Sequence, residues 1–234
     1  MPLKSRTDSS QIVIKHHGAV TGVTGSCHQL FWSPHQSILI DCGLFQGAEI
    51  TGAADAINFS LQGITALVVT HVHIDHVGRI PALLAAGFDG PIYCSYPTSL
   101  LLPEVLEDAM KIGVTRNKSV INRVLKELKK QLRPLPYLKW QPIAEQGDYR
   151  LNIKLHNAGH ILGAAYVSCQ LHSAQWSNGR HCVVFSGDLG APYSPLLKAP
   201  VPPYGCDTLV LESTYGDRLH GSRRDRGLRL AEAL

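Results

Sequence analysis

The sequence predicts an α/β layered domain, and three observations carry that expectation. Short β-branched or apolar runs separated by Gly-rich turns occupy both ends of the chain, a helical block lies between them, and residues 64–70 form a near-continuous apolar run. Such a run, lacking alternation, is the mark of a strand covered on both faces. With 234 residues, 44% of them hydrophobic, the chain can bury one sizeable core.

In chain order, residues 12–15, 18–25, 30–32 and 38–40 read as a meander of short strands. After the 64–70 run a helical pattern covers 78–86, and 92–95 reads as another short buried strand closed by Pro97. Residues 99–132 are the main helical block, where Ile121, Val124, Leu125, Leu128 and Leu132 fall on one stripe of a 3.6-residue period, until Pro134 and Pro136 stop it. Strands return at 150–155, 164–171, 182–186 and 208–212, with Ser177-Asn178-Gly179 a hairpin signal between two of them. The helical pattern at 226–234 stops with no Gly or Pro to end it, as in a chain cut within an element.

No stretch approaches the ~18 uninterrupted apolar residues of a membrane span, and the amino end has no long apolar run, so a soluble cytoplasmic protein is expected. A net charge of +4 permits a nucleic-acid partner without requiring one. The six cysteines, Cys27, Cys42, Cys94, Cys169, Cys182 and Cys206, form no CxxC pair and read as reduced core thiols.

Histidines begin where the apolar run ends. In Thr70-His71-Val72-His73-Ile74-Asp75-His76, three imidazoles and a carboxylate follow a buried strand. Alternate spacing points His71 and His73 the same way on extended backbone, and a turn into the following helix would swing Asp75 and His76 around the same point. This mixture of nitrogen and oxygen donors suits Zn²⁺, or less specifically Mn²⁺ or Fe²⁺. One loop cannot close two metal sites. Two later turns supply candidates: His160, among small residues in Gly159-His160-Ile161-Leu162-Gly163, and Asp188, just past a buried strand in Ser186-Gly187-Asp188-Leu189-Gly190.

With these residues together the chain resembles the metallo-β-lactamase superfamily, whose His-x-His-x-Asp-His motif is matched by His71, His73, Asp75 and His76. The resemblance implies that His160 is the third-motif histidine, Asp188 the metal-bridging aspartate, and Asp41 in Leu39-Ile40-Asp41-Cys42-Gly43 a residue that orients the ligand loop. Within the superfamily the chain is similar to the β-CASP ribonuclease branch. That likeness lies in residues 23–28, 41–47, 159–164 and above all Leu211-Glu212-Ser213-Thr214-Tyr215-Gly216-Asp217-Arg218.

The implied fold is an αββα sandwich, incomplete because the β-CASP insert and the carboxy-terminal return segment are missing: residues 1–216 are the hydrolase portion, and 217–234 start a linker into the absent domain. The implied cofactors are two Zn²⁺ ions, with Mn²⁺ as a substitute and the second site weak or empty in a fragment. The implied activity is cleavage of single-stranded RNA by a metal-bound hydroxide, with Asp75, Asp188 and Glu212 as the catalytic acids. Arg218, Arg223 and Arg224 are candidate RNA contacts in a basic cluster with Arg226 and Arg229. A second basic group, Arg123, Lys126, Lys129, Lys130 and Arg133, is equally well explained as a solvated helix face. His28 and His220 are further histidines that could approach the site. A homodimer is compatible with this reading. The competing readings are a thioesterase- or lactonase-like hydrolase of small molecules and an inactive truncated remnant or scaffold.

Overall fold

The computed structural model describes residues 12–50, 52–53, 55–176, 178–219 and 225–234. Two sheets stack face to face. The first has the order β1-β2-β3-β4-β5-β6 and the second β11-β10-β9-β8-β7. In the first sheet β1 (Val13–His16), β2 (His28–Phe31) and β3 (Ser37–Ile40) form the antiparallel meander, and β4 (Ile64–Val68), β5 (Ile92–Ser95) and β6 (Leu132–Leu135) continue it in parallel. Parallel neighbours require crossovers. Those from β4 to β5 and from β5 to β6 are α1 (Ile74–Val77) with α2 (Ile80–Ala85), and α3 (Tyr96–Gly113) with α4 (Lys118–Gln131). The second sheet is antiparallel through β7 (Gln141–Gln146), β8 (Tyr149–Asn157), β9 (Ala165–His172) and β10 (Arg180–Phe185), with β11 (Thr208–Val210) joined in parallel at its edge.

The pleat sorts the core. Leu67 and Val69 join the layer under the helices with Leu83, Leu102, Leu106, Ile121, Leu125 and Leu128, while Ala66 and Val68 face the second sheet and meet Ile153, Val167, Val183 and Phe185. Filling both faces of β4 accounts for its unalternated sequence. Each fully buried Leu, Ile, Val or Phe contributes about 1.5–3 kcal/mol, so the two apolar layers fix the frame on which the polar rim is built.

Several expected elements differ. The 99–132 block is two helices, broken between Gly113 and Lys118, and Asn117 caps the second by accepting N–H bonds from Ser119 and Val120. Pro97 opens α3 instead of closing β5: Ser95 is the N-cap and Pro97 lies in the first turn, where the missing N–H is not needed. Pro134 sits inside β6, which pairs only with β5 and so tolerates the lost donor at a sheet edge. Residues 18–25 form bends without a strand, and β7 was not foreseen because Gln141–Gln146 lacks an apolar alternation. The expected hairpin joins β9 to β10, although Ser177 itself lies outside the described residues. All six cysteines are free thiols, four of them buried. Among the described residues no helix is long and apolar enough to cross a membrane.

Candidate metal centre

Three turns from both sheets meet at one rim of the sandwich. The first follows β4. His71 and His73 flank the buried Val72 on extended backbone, and α1 then begins with His73 as its N-cap, which places Asp75 and His76 in its single turn. Two loops clasp this turn through backbone bonds: after β3, Cys42 N–H donates to His76 O and Leu44 N–H to Ile74 O, and before β2, Ser26 N–H donates to Asp75 O. Gly43 lies so close to the Asp75 carbonyl that any side chain there would overlap it.

Asp41 governs the orientation of two histidines. It is 1% exposed and adopts φ +59°, a left-handed conformation that aspartate tolerates better than most residues. Its Oδ1 accepts Thr70 N–H at 2.7 Å, and its Oδ2 accepts both the Thr70 hydroxyl at 2.7 Å and the His76 Nδ1–H at 2.7 Å. Since the Thr70 proton goes to Asp41, the 3.0 Å contact between Thr70 Oγ1 and His71 must be a donation from His71 Nδ1–H. The tautomer of His71 is thereby set, with its Nε2 lone pair turned to the cluster.

The second turn, after β8, carries His160. It is anchored to the cap of α3, because Ser95 Oγ and Thr98 Oγ1 donate to Gly163 O at 2.7 and 3.0 Å. The third turn, after β10, carries Asp188. Its Gly190 N–H donates to Ala158 O at 2.7 Å, and a methyl on Gly190 would collide with the Gly159 carbonyl, so the two turns are in direct backbone contact.

These turns bring His71, His73, His160 and Asp188 together, with one donor atom from each inside a 4.8 Å span. His73 Nδ1 lies 3.1 Å from both His71 Nε2 and His160 Nε2, while Asp188 Oδ2 lies 3.7 Å from His71 Nε2 and 3.5 Å from His160 Nε2. Donors at ~2.0–2.1 Å from a tetrahedral ion stand ~3.3 Å apart, so the set has the dimensions of a zinc shell. The other carboxylate oxygen, Asp188 Oδ1, is 3.1 Å from His76 Nε2, which is in turn 3.9 Å from Asp75 Oδ2. Asp188 thus divides its two oxygens between two donor groups.

Protonation follows the same division. Burial, with the charges of neighbouring histidines, lowers His71 to about 2, and His73 is lowered mainly by burial, leaving neutral imidazoles suited to ligation. Burial alone would also lower His76, but Asp41 and Asp188 outweigh it and raise it to about 10. Asp188, raised by burial and lowered more strongly by His76, His71 and His160, falls to about 2.

Outside the donor set, burial lowers His28 and His156 to about 4, assisted by His16 and by Lys154 respectively. In the unfolded chain both titrate near 6.5. Between about pH 6.5 and about pH 4 the unfolded state therefore binds more protons, and stability falls as pH falls. His76 has the opposite sign: its contribution is complete below 6.5 and is lost as pH rises through about 10. The denaturant midpoint of the metal-free chain is expected to decline across the acid window. His156→Gln, which can keep the 3.0 Å bond to Ser168, should make the decline shallower; an unchanged slope in that variant contradicts the assignment.

Glu212 uses its carboxylate on the backbone, Oε1 accepting Leu189 N–H at 2.8 Å and Oε2 accepting Thr214 N–H at 3.4 Å. It lines a cavity of 290 Å³ beside the cluster, together with His28, His76 and Asp188. His28 is held there by a 2.8 Å contact with His16. Arg218 is exposed and lies 3.6 Å from Asp217, whereas Arg223, Arg224, His220 and the side chain of Arg226 lie outside the described residues. The basic residues of α4 are all exposed on the face opposite Ile121, Leu125 and Leu128. Arg79, unnoticed in the sequence, is wholly buried and donates to the carbonyls of Gly43, Gly25 and His17 beneath the ligand loop. A charged residue inside the apolar stretch Val77 to Pro81 was the available signal.

Residues 29–221 match the family described as the metallo-beta-lactamase superfamily. The chain belongs to the metallo-beta-lactamase superfamily. Ribonuclease TTHA0252 of Thermus thermophilus is 36% identical over 217 residues, which cover 93% of this chain and 47% of that protein. Transcription termination factor FttA of Methanococcus maripaludis is 37% identical over 190 residues, covering 79% of this chain and 28% of that protein. Integrator complex subunit 11 of Danio rerio is 30% identical over 202 residues, covering 82% and 32%. These relatives belong to the β-CASP branch of the metallo-beta-lactamase superfamily that the sequence resembles, and the chain spans less than half the length of each.

Proposed function

We propose that this chain is the metal-binding portion of a ribonuclease that hydrolyses phosphodiester bonds of single-stranded RNA with two zinc ions. Residues 1–216 make up the hydrolase portion, and 217–234 lead away from it. The observation that carries the reading is the division of Asp188: one oxygen stands with His71, His73 and His160, the other with His76 and Asp75. The names of the relatives, a ribonuclease among them, support RNA as the substrate class.

Two zinc ions in such a site supply Lewis-acid stabilisation of phosphate charge and lower the pKa of a water. The chain does the rest. Asp41 holds Thr70 and His76 so that Nε2 of His71 and Nε2 of His76 face inward, and the α3 cap holds His160 against the Asp188 turn. Asp75, 25% exposed at the rim, is placed to accept a proton from the attacking water.

The protein of which this chain is the hydrolase portion is expected to cut an end-labelled single-stranded RNA in the presence of zinc. His73→Ala should reduce cleavage by about 10³-fold or more, in the range seen when a group acting as a unit with its neighbours is removed. Turnover of a thioester with no RNA cleavage would instead assign a small-molecule hydrolase.

A further inference from the structure

The turn that carries Asp188 is laced to the end of β11. Ser186 N–H donates to Val210 O at 3.0 Å, Glu212 N–H donates to Ser186 Oγ at 2.8 Å, and Leu189 N–H donates to Glu212 Oε1 at 2.8 Å. Elsewhere in the turn, Gly187 lies against the Thr70 side chain, and Gly190 is bonded to Ala158 O. Among the described residues, Glu212 is therefore the one side chain that grips the residue following Asp188.

We propose that Glu212 is a positioning residue, which fixes the direction of the Asp188 carboxylate through Leu189 and thereby sets the affinity of the centre for metal. The inference rests on the metal-centre reading above and gives Glu212 a role other than handling a proton. The bond from Leu189 N–H to Glu212 Oε1, at 2.8 Å, is a direct tether on the turn. Its position is decisive because Leu189 N belongs to the peptide unit that leaves Asp188, so any swing of that unit turns the Asp188 side chain. The carboxylate must satisfy donors on two sides at 3.1, 3.5 and 3.7 Å, while metal–ligand distances tolerate only about ±0.2 Å.

The test is zinc affinity, measured by competition with a chromophoric chelator, for the chain and for Glu212→Gln, Glu212→Asp and Glu212→Ala. Glutamine keeps an oxygen at the same reach and should bind zinc nearly as the unaltered chain does. Aspartate keeps the charge but loses the reach, and should weaken binding about 10-fold or more, together with alanine, in the range of outer-shell losses. Cobalt-substituted samples should show the corresponding change in their visible ligand-field bands, which loss of fold stability alone does not produce. The proposal is overturned if aspartate binds zinc like the unaltered chain, or if glutamine is as weak as alanine, since charge would then matter and reach would not. Failure of the unaltered chain to bind zinc at all would remove the metal centre itself, a different result from equal binding by all four proteins.

Discussion

On the two-zinc reading proposed above, alanine at position 188 is expected to reduce the zinc content of the chain from two ions to at most one, with the remaining ion held more than about 100-fold more weakly. Outer-shell partners alone are worth ~10–100-fold in affinity, and among the described residues Asp188 is the one whose two oxygens reach both donor groups. Removing it leaves three imidazoles on one side and the His76–Asp75 pair on the other. Asp188 donates nothing to the backbone ladder, so the far-ultraviolet circular dichroism should be unchanged, and the loss should be seen by atomic emission on dialysed protein. Asp75→Ala provides the contrast, because it touches only one group and should spare the other ion. Retention of both ions by Asp188→Ala would contradict the division of its oxygens.

Gly190→Ala is expected, with Gly43→Ala, to be among the most damaging single methyls at the described glycines. The added carbon would overlap the Gly159 carbonyl, and backbone on both sides leaves nothing flexible to yield. Overpacking between side chains costs ~1–3 kcal/mol, and backbone against backbone at a turn should reach or exceed about 3 kcal/mol. Separation of the two turns also draws His160 away from Asp188, so urea midpoint and zinc affinity should fall together. Gly113→Ala is the control: it ends α3 with open space around it and should change the midpoint little or raise it. Equal midpoints for the two variants would refute the close approach.

The donor set was legible because its chemistry is concentrated. Three histidines and an aspartate within six residues after an apolar strand leave few readings, and His160 and Asp188 became readable once two further strand ends were needed. What escaped was contextual. Asp41 could be suspected as an orienting residue, but its left-handed backbone and its hold on both Thr70 and His76 come from the clasp between two loops. The break between α3 and α4 was hidden because the polar stretch Thr115 to Ser119 contains no Pro, and the cap at Asn117 is a single polar residue in a polar neighbourhood. β6 was hidden by Pro134, which signals a stop in a helix and is admissible on a sheet edge. Arg79 was missed since its partners are carbonyls, which no sequence displays.

The rim residues come from both layers of the sandwich: His71, His73 and His76 follow a strand of the first sheet, and His160 and Asp188 follow strands of the second. An ion seated among them is a rivet driven through two plates. Its grip and the cohesion of the plates are one quantity seen from two sides, because sliding one sheet past the other scatters the donors, and each ion bound only by the assembled state holds the sheets in register. Changes deep in the layer between the sheets, at Val68 or Val167 for instance, therefore reach the rim without touching any ligand.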